Sequence, residues 1–364
     1  MNKNVGIITW HYYINFGSAL QAYALQKSIK DMGCKVKMID YRNPCFGKVN
    51  RVKKCAKMRV KALIRALTGQ ECDRDSAYYF FQSKYFRKTK LIQDQELLPG
   101  ICQKLDCVIC GSDQIWAPNV FNPVYMLDFV MDNIPKIAYA ASVGLNDIPN
   151  DLVDTYHSLL SRFHRISVRE VVGATLLNQK CSVDATVVLD PTFLIDIEHW
   201  KTLERSINYK RKFIFCYFLN ANHQYRRSVQ KYATDNGVTI IGYSARKNDS
   251  EWMNLLSSTI GPCEFLWLIH HAEAVFMDSY HGTIFSLLYH KDFITFERFE
   301  ASDKICQNSR IYQLSEYFDI SNRIIKVAED LEITISPLDY ALFEDRLSAL
   351  RKLSVEFLVD ALEG

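Results

Sequence analysis

Read as apolar and polar positions, the chain alternates short apolar blocks with stretches of helical periodicity. Val5 to Thr9 is an apolar block of strand length, Ser18 to Met32 repeats apolar residues at three- and four-residue steps, and Lys35 to Tyr41 alternates as a strand. Gly33 stands just past the helix, where a glycine commonly ends one. This βαβ unit predicts a parallel sheet with a right-handed crossover. The pattern continues with a helix over Ser76 to Phe86 and strands at Leu105 to Cys110 and Lys136 to Ser142. Next come a helix over Asp151 to Phe163, a strand at Arg165 to Arg169, a helix over Val172 to Asn178 and a strand at Val183 to Leu189. A second alternation begins at Phe213. Its strands are Phe213 to Leu219, Val238 to Gly242, Ala274 to Met277 and Phe293 to Phe296; its helices are His223 to Asn236, Cys263 to His271 and Thr283 to Tyr289. Asp339 to Leu362 reads as a long amphipathic helix, with Leu342, Leu347, Leu350, Leu353, Phe357 and Leu358 near one stripe.

Two successive α/β halves predict an α/β fold of two Rossmann-like domains. The expected division is 1–190, a linker over 191–210 marked by Asp190-Pro191, 211–336, and the C-terminal helix over 337–364. Ligands in open α/β sheets sit outside the carboxyl ends of strands, so the polar turns there are the candidate sites. In Asp278-Ser279-Tyr280-His281-Gly282-Thr283, an apolar strand runs through a polar turn into an apolar helix. The amides of Gly282, Thr283 and Ile284 would be unpaired at such a helix start and, with the helix dipole, would favour an anion. Gly282 would let the backbone approach a ligand, and His281 can donate or accept a proton near neutral pH. The plainer reading is a strand-to-helix turn capped by Ser279 or Asp278. Two further turns have the same character: His11 to Ser18, and Gly111-Ser112-Asp113-Gln114-Ile115-Trp116. A third strand ends in Ser142-Val143-Gly144. The first turn is no nucleotide fingerprint, having a single glycine. Gln21, one helical turn further on, either points back at the cleft or is a surface polar residue.

Composition narrows the class. At 364 residues, 48% hydrophobic and 23% charged, the chain is an ordinary globular protein long enough for two cores. Eleven cysteines do not read as a secreted disulfide framework, the opening residues show no signal peptide, and no apolar run spans a bilayer. A cytoplasmic, reduced protein is expected. Cys107 and Cys110 stand three apart in a strand, on opposite faces, and no second pair completes a zinc site, so core packing explains them and no metal is expected. The net charge of +3 is local: 43–70 carries eight basic residues and no acidic one, leaving 36 basic against 41 acidic elsewhere, a net −5. That excludes a general nucleic-acid-binding surface.

Six segments together resemble the polysaccharide pyruvyl transferases. They are Asn15-Phe16-Gly17-Ser18-Ala19-Leu20-Gln21-Ala22-Tyr23, Gly111 to Trp116, Ile166-Ser167-Val168-Arg169-Glu170, Asp190-Pro191-Thr192, Asp278 to Thr283, and Asn308-Ser309-Arg310-Ile311. Tyr280 departs from the phenylalanine frequent in the family. The resemblance implies a GT-B-like fold and transfer of pyruvate from phosphoenolpyruvate to two hydroxyls of a sugar in a polysaccharide precursor, as a ketal. It implies no cofactor beyond that donor substrate. It also implies that His281 and an arginine, Arg169 by position with Arg310 as competitor, handle phosphoenolpyruvate. The chemistry suits them. An arginine fork fits a phosphate or carboxylate, and a protonated histidine can supply the proton that the methylene carbon gains or simply bind phosphate. Asp113 is the candidate base on an acceptor hydroxyl, or a cap of its own turn. Asn15, Gly17, Gln21, Gly111, Ser112, Gln114, Ser142, Asp278, Ser279, Tyr280, Gly282, Thr283 and Arg310 complete the candidate substrate-binding set. The rival readings are a nucleotide-sugar glycosyltransferase or epimerase on the same fold, and a carbohydrate-binding protein without activity.

The resemblance does not account for the basic segment. Val52, Ala56, Val60, Leu63, Ile64 and Leu67 recur with helical period among lysines and arginines. A basic amphipathic helix over 48–67 would suit peripheral contact with the inner face of a membrane, at about 1 kcal/mol per basic residue, and hence a lipid-linked acceptor. A solvated helix packed on the first domain is the plainer alternative.

Overall fold

A computed structural model describes residues 1–42, 74–220, 223–244, 251–256, 260–300, 303, 305–326 and 332–364. The basic segment and the membrane contact expected of 48–67 lie outside the described residues. The chain splits into two compact units. Unit 1 takes 1–42, 82–195 and 348–364; unit 2 takes 74–81 and the described part of 196–347.

In unit 1 the strands are β1 (Asn4–Ile8), β2 (Lys35–Met38), β3 (Cys107–Cys110), β4 (Lys136–Ala141), β5 (Arg165–Val168) and β6 (Thr186–Val187). They form one parallel sheet in the order β2-β1-β3-β4-β5-β6, with Val5 opposite both Val36 and Cys107. Its helices are α1 (Phe16–Asp31), α2 (Arg74–Tyr85, shared with unit 2), α3 (Leu98–Cys102), α4 (Asn150–Leu160) and α5 (Val171–Cys181). Every residue of β3 and of β4 is buried, as in a parallel sheet covered on both faces, and all are apolar except Lys136, whose ammonium pairs with Asp132 at 2.8 Å. The strand expected over Val183 to Leu189 pairs only at Thr186 and Val187, at the sheet edge, before the chain turns at Asp190-Pro191.

Unit 2 repeats the plan with β7 (Phe213–Phe218), β8 (Thr239–Ser244), β9 (Asn254–Leu255), β10 (Val275–Met277), β11 (Phe293–Phe296) and β12 (Ile324–Ile325). The order is β12-β11-β10-β7-β8-β9, again with parallel neighbours. Its helices are α6 (Ile197–Leu203), α7 (His223–Asp235), α8 (Pro262–His271), α9 (Tyr280–Leu288) and α10 (Ser309–Phe318). The stretch 191–210, expected as a linker, carries a 3-10 turn at Pro191–Leu194 and then α6. The last helix, α11 (Tyr340–Glu363), contributes its first turns to unit 2 and the remainder to unit 1. Its buried line runs through Phe343, Leu347, Ser354, Leu358, Ala361 and Leu362, while Leu342 and Leu353 of the expected stripe are exposed. Small Ser354 is buried because its hydroxyl accepts the Leu189 amide at 3.0 Å.

Candidate functional site

In unit 2 the sheet order reverses between β7 and β10, the switch point at which doubly wound sheets bind ligands. The Asp278 to Thr283 turn leaves β10 there. The Asp278 carboxylate accepts the amides of Leu219 and Asn220, both at 2.7 Å, and so ties the ends of the two flanking strands together. Arg298, just past β11, donates from Nε (3.1 Å) and Nη2 (2.7 Å) to the Asp278 carbonyl. Burial lifts the Asp278 carboxyl above its ordinary range, against the pull of Arg298 and the two amides.

The helix begins three residues earlier than its apolar pattern suggests. Ser279 is the N-cap of α9, its Oγ accepting the Gly282 amide at 3.3 Å and its carbonyl the Thr283 amide at 3.0 Å. This corrects the expected set of unpaired amides. The Gly282 and Thr283 amides are bonded to Ser279, and Ile284 has an i−4 carbonyl at Tyr280. Packing gives Gly282 a reason of its own. A Cβ there would stand 2.7 Å from Met277 Sδ and 3.4 Å from Tyr217 Cδ1, so the glycine permits close packing on the sheet. Thr283 bridges α9 to β11 through a 2.8 Å hydroxyl contact with Thr295.

His281 is 7% exposed, with the Tyr280 ring edge-on at 5.2 Å. The Arg310 guanidinium lies 5.6 Å over that Tyr280 ring, oriented by a 2.7 Å bond from Nη2 to Gln307 Oε1. Within unit 2, therefore, the fold gathers Asp278, Ser279, Tyr280, His281 and Arg310 at one helix start, and adds Arg298. Arginines and a histidine beside a helix N-terminus are residue types chemically suited to receive an anion and to exchange a proton.

Unit 1 gathers its candidates at the ends of β1, β3, β4 and β5, beside its own switch point between β1 and β3. Asn15 caps α1 by accepting the Ser18 amide at 3.1 Å, Gly17 is buried in the first turn, and Ser18 Oγ donates to Asp113 Oδ2 at 2.5 Å. Gln21 is fully buried and not a surface residue. Its Nε2 donates to Thr9 Oγ1 (3.2 Å) and the Ser18 carbonyl (3.0 Å), while its Oε1 accepts the Ser112 amide (3.1 Å). Gly111 is obligatory: its φ is +117°, and a Cβ would fall 2.0 Å from the Tyr139 carbonyl oxygen. Asp113 has φ +76°, a left-handed conformation costing a non-glycine residue about 1–3 kcal/mol. It is held there because its carbonyl accepts the amides of Ile115 (2.8 Å) and Ser142 (2.9 Å). Gln114 donates its amide to Asp113 Oδ1 at 2.9 Å, and its side chain packs against Gly144.

Arg169 stands in a different setting from Arg310. It is 1% exposed, with Nη1 on Asp190 Oδ2 at 2.9 Å and Nε on Glu170 Oε1 at 3.2 Å. Ser112 Oγ reaches Asp190 at 3.3 Å and Ser142 Oγ reaches Glu170 at 2.5 Å, so this guanidinium holds the ends of three strands in one buried network. Asp190 further caps its own turn through the Thr192 amide at 3.0 Å.

Sequence reasoning missed Arg298, Glu170 and the His11–Asp40 pair, whose His11 Nε2 lies 3.0 Å from Asp40 Oδ1 with His11 fully buried. Arg298 carried a signal, since it follows a strand as the other candidates do. Cys107 and Cys110 are buried in β3, and burial pushes the Cys107 thiol up to about 12, far from the thiolate that redox or zinc chemistry needs.

Comparison with known proteins sets this geometry in context. A family model described as polysaccharide pyruvyl transferase matches residues 15–298. No curated protein matches the chain at a significant level. Among solved structures, the UDP-GlcNAc 2-epimerase of Neisseria meningitidis is similar at TM-score 0.53 and 10% identity, over 99% of this chain and 100% of that one. The UDP-GlcNAc 2-epimerase of Methanocaldococcus jannaschii is similar at TM-score 0.54 and 10% identity, over 96% and 93%. The UDP-N-acetylglucosamine 2-epimerase of Rickettsia bellii is similar at TM-score 0.53 and 8% identity, over 100% and 96%. At these identities the likeness is one of fold, and it is the GT-B-like fold the sequence implies.

Proposed function

Because this chain belongs to the polysaccharide pyruvyl transferase family, we propose that it transfers pyruvate from phosphoenolpyruvate to two hydroxyls of a sugar in a polysaccharide precursor. The observation that carries the reading is His281 at the switch point of unit 2, in the first turn of α9 with Arg310 over the neighbouring ring. Phosphoenolpyruvate carries a phosphate and a carboxylate, and Arg310 and Arg298 supply charge-assisted donors of the kind each needs, worth roughly 1.5–3 kcal/mol apiece.

The reaction adds a proton to the methylene carbon, which becomes the methyl group. Two sugar hydroxyl oxygens bond to the central carbon, phosphate leaves with its bridging oxygen, and the hydroxyl protons are released. His281 is the proton donor to carbon; a positioned acid gives about 10²- to 10⁴-fold. Asp113, strained and buried in unit 1, is the candidate to take a proton from an acceptor hydroxyl. Arg169 positions: its fork is engaged by Glu170 and Asp190, and it keeps the loops around Ser112 and Ser142 in register. No helix among the described residues is long and apolar enough to cross a membrane.

Thermal stabilisation of the protein by phosphoenolpyruvate, compared with uridine nucleotides, tests the reading. Stabilisation by phosphoenolpyruvate alone is expected. Stabilisation by the uridine nucleotides alone would favour a nucleotide-sugar enzyme on the same fold.

A further inference from the structure

Away from both strand-end clusters, three donors of metal-binding type converge on the surface of unit 2. Glu204 is the C-cap of α6, and His270 and His271 are the last two residues of α8. One ligand atom of each lies within 4.8 Å of the others. Both carboxylate oxygens lie close to His270 Nδ1, Oε1 at 2.9 Å and Oε2 at 3.1 Å, and Oε2 also lies 3.9 Å from His271 Nδ1. A tetrahedral zinc site with bonds near 2.0–2.1 Å has donor–donor edges of about 3.3–3.5 Å, so these separations bracket what one ion needs. We propose that Glu204, His270 and His271 bind a late first-row divalent cation of the zinc type, with water in the remaining position.

Both rings are oriented before any ion arrives. His270 stacks on Tyr289 at 4.9 Å and 22°, and His271 stacks on Trp267 at 4.4 Å and 16°. The Glu204 carboxylate is 10% exposed while the rings are 34% and 43% exposed, so the site has a firm floor and an open mouth. The neighbouring cation, Arg205, has its Nε 3.7 Å from Glu264 Oε1. Coordination by His271 exchanges one hydrogen bond, from Nδ1 to the Trp267 carbonyl at 2.9 Å, for a metal bond. Two imidazoles and a carboxylate select zinc, cobalt or nickel over magnesium or calcium, which prefer all-oxygen shells. The ion ties the end of α6 to the end of α8. Sequence spacing could not show it, because Glu204 is 66 residues from His270.

The competing reading is a histidine pair that only complements the carboxyl end of α8 and forms an ion pair with Glu204. Titration calorimetry of the chelator-stripped full chain with Zn²⁺, together with visible absorption after Co²⁺ addition, separates the two. The proposal expects one saturable Zn²⁺ site per chain and a rise in melting temperature. It also expects a Co²⁺ spectrum without a thiolate charge-transfer band. His270→Ala and His271→Gln should each weaken binding roughly tenfold or more while keeping the parent's circular dichroism. His290→Ala, at an exposed histidine that pairs with Glu344 and stacks on Tyr340, should leave binding unchanged. Absence of saturable binding, a thiolate band, or unchanged affinity in either His270→Ala or His271→Gln overturns the site.

Discussion

His281 combines burial with a position at the start of α9, so its removal should cost chemistry more than fold. His281→Ala is expected to stay folded while phosphate release from phosphoenolpyruvate falls roughly a hundredfold. Near-parental turnover in a folded variant would sink the assignment. The two arginines differ more sharply than their sequence contexts suggest. Arg310→Lys keeps the charge, loses the fork, and should raise the KM for phosphoenolpyruvate with a smaller effect on melting temperature. Arg169→Lys keeps the charge but cannot bond both Glu170 and Asp190 as the fork does, and should destabilise by roughly 1–3 kcal/mol, read by denaturant unfolding. If Arg169→Lys instead raised KM at unchanged stability, Arg169 would be the anion ligand. Asp40 offers a pH test. Burial alone would raise its carboxyl, but His11, Lys88 and Arg42 hold it well below the usual carboxylate range. A depressed carboxylate contributes stability that is fully present above about pH 4 and is lost as pH falls below it. The unfolding midpoint should therefore drop less steeply in acid for Asp40→Asn than for the parent, and parallel acid limbs would contradict this.

At the scale of elements, the loops after β1 and β3 stand or fall together. Gln21 is the bolt between them, since one side chain satisfies Thr9 and the Ser112 amide at once. Gln21→Leu leaves that buried amide without its acceptor and should cost roughly 1–3 kcal/mol, visible as a lower melting temperature. An unshifted melting temperature would mean the loop is held from elsewhere. Strand blocks such as Phe213–Phe218 were readable because their burial is continuous. The start of α9 was not, because the Ser279 cap acts on backbone amides that apolar periodicity does not register. The buried stripe of α11 was likewise misread: Ser354 takes an inward place through a hydrogen bond, and Leu353 is left outside.

Over the whole molecule, the doubling of the α/β pattern was enough to anticipate two parallel sheets, and the turn motifs enough to locate both strand-end clusters. What the motifs could not convey is the setting in which each charge is held. Arg169 and Arg310 look alike in sequence, yet two carboxylates face the first and a tyrosine ring the second. The central claim is that the chain protonates phosphoenolpyruvate at carbon while joining it to a sugar. It is tested most directly by incubating the protein with phosphoenolpyruvate and candidate lipid-linked or nucleotide-linked sugars in D2O, then analysing the sugar by mass spectrometry. The account predicts a sugar heavier by one pyruvate ketal, with one solvent deuterium in its methyl group and an equivalent of phosphate released. An acceptor that gains nothing while the protein turns over a uridine-linked sugar would contradict it.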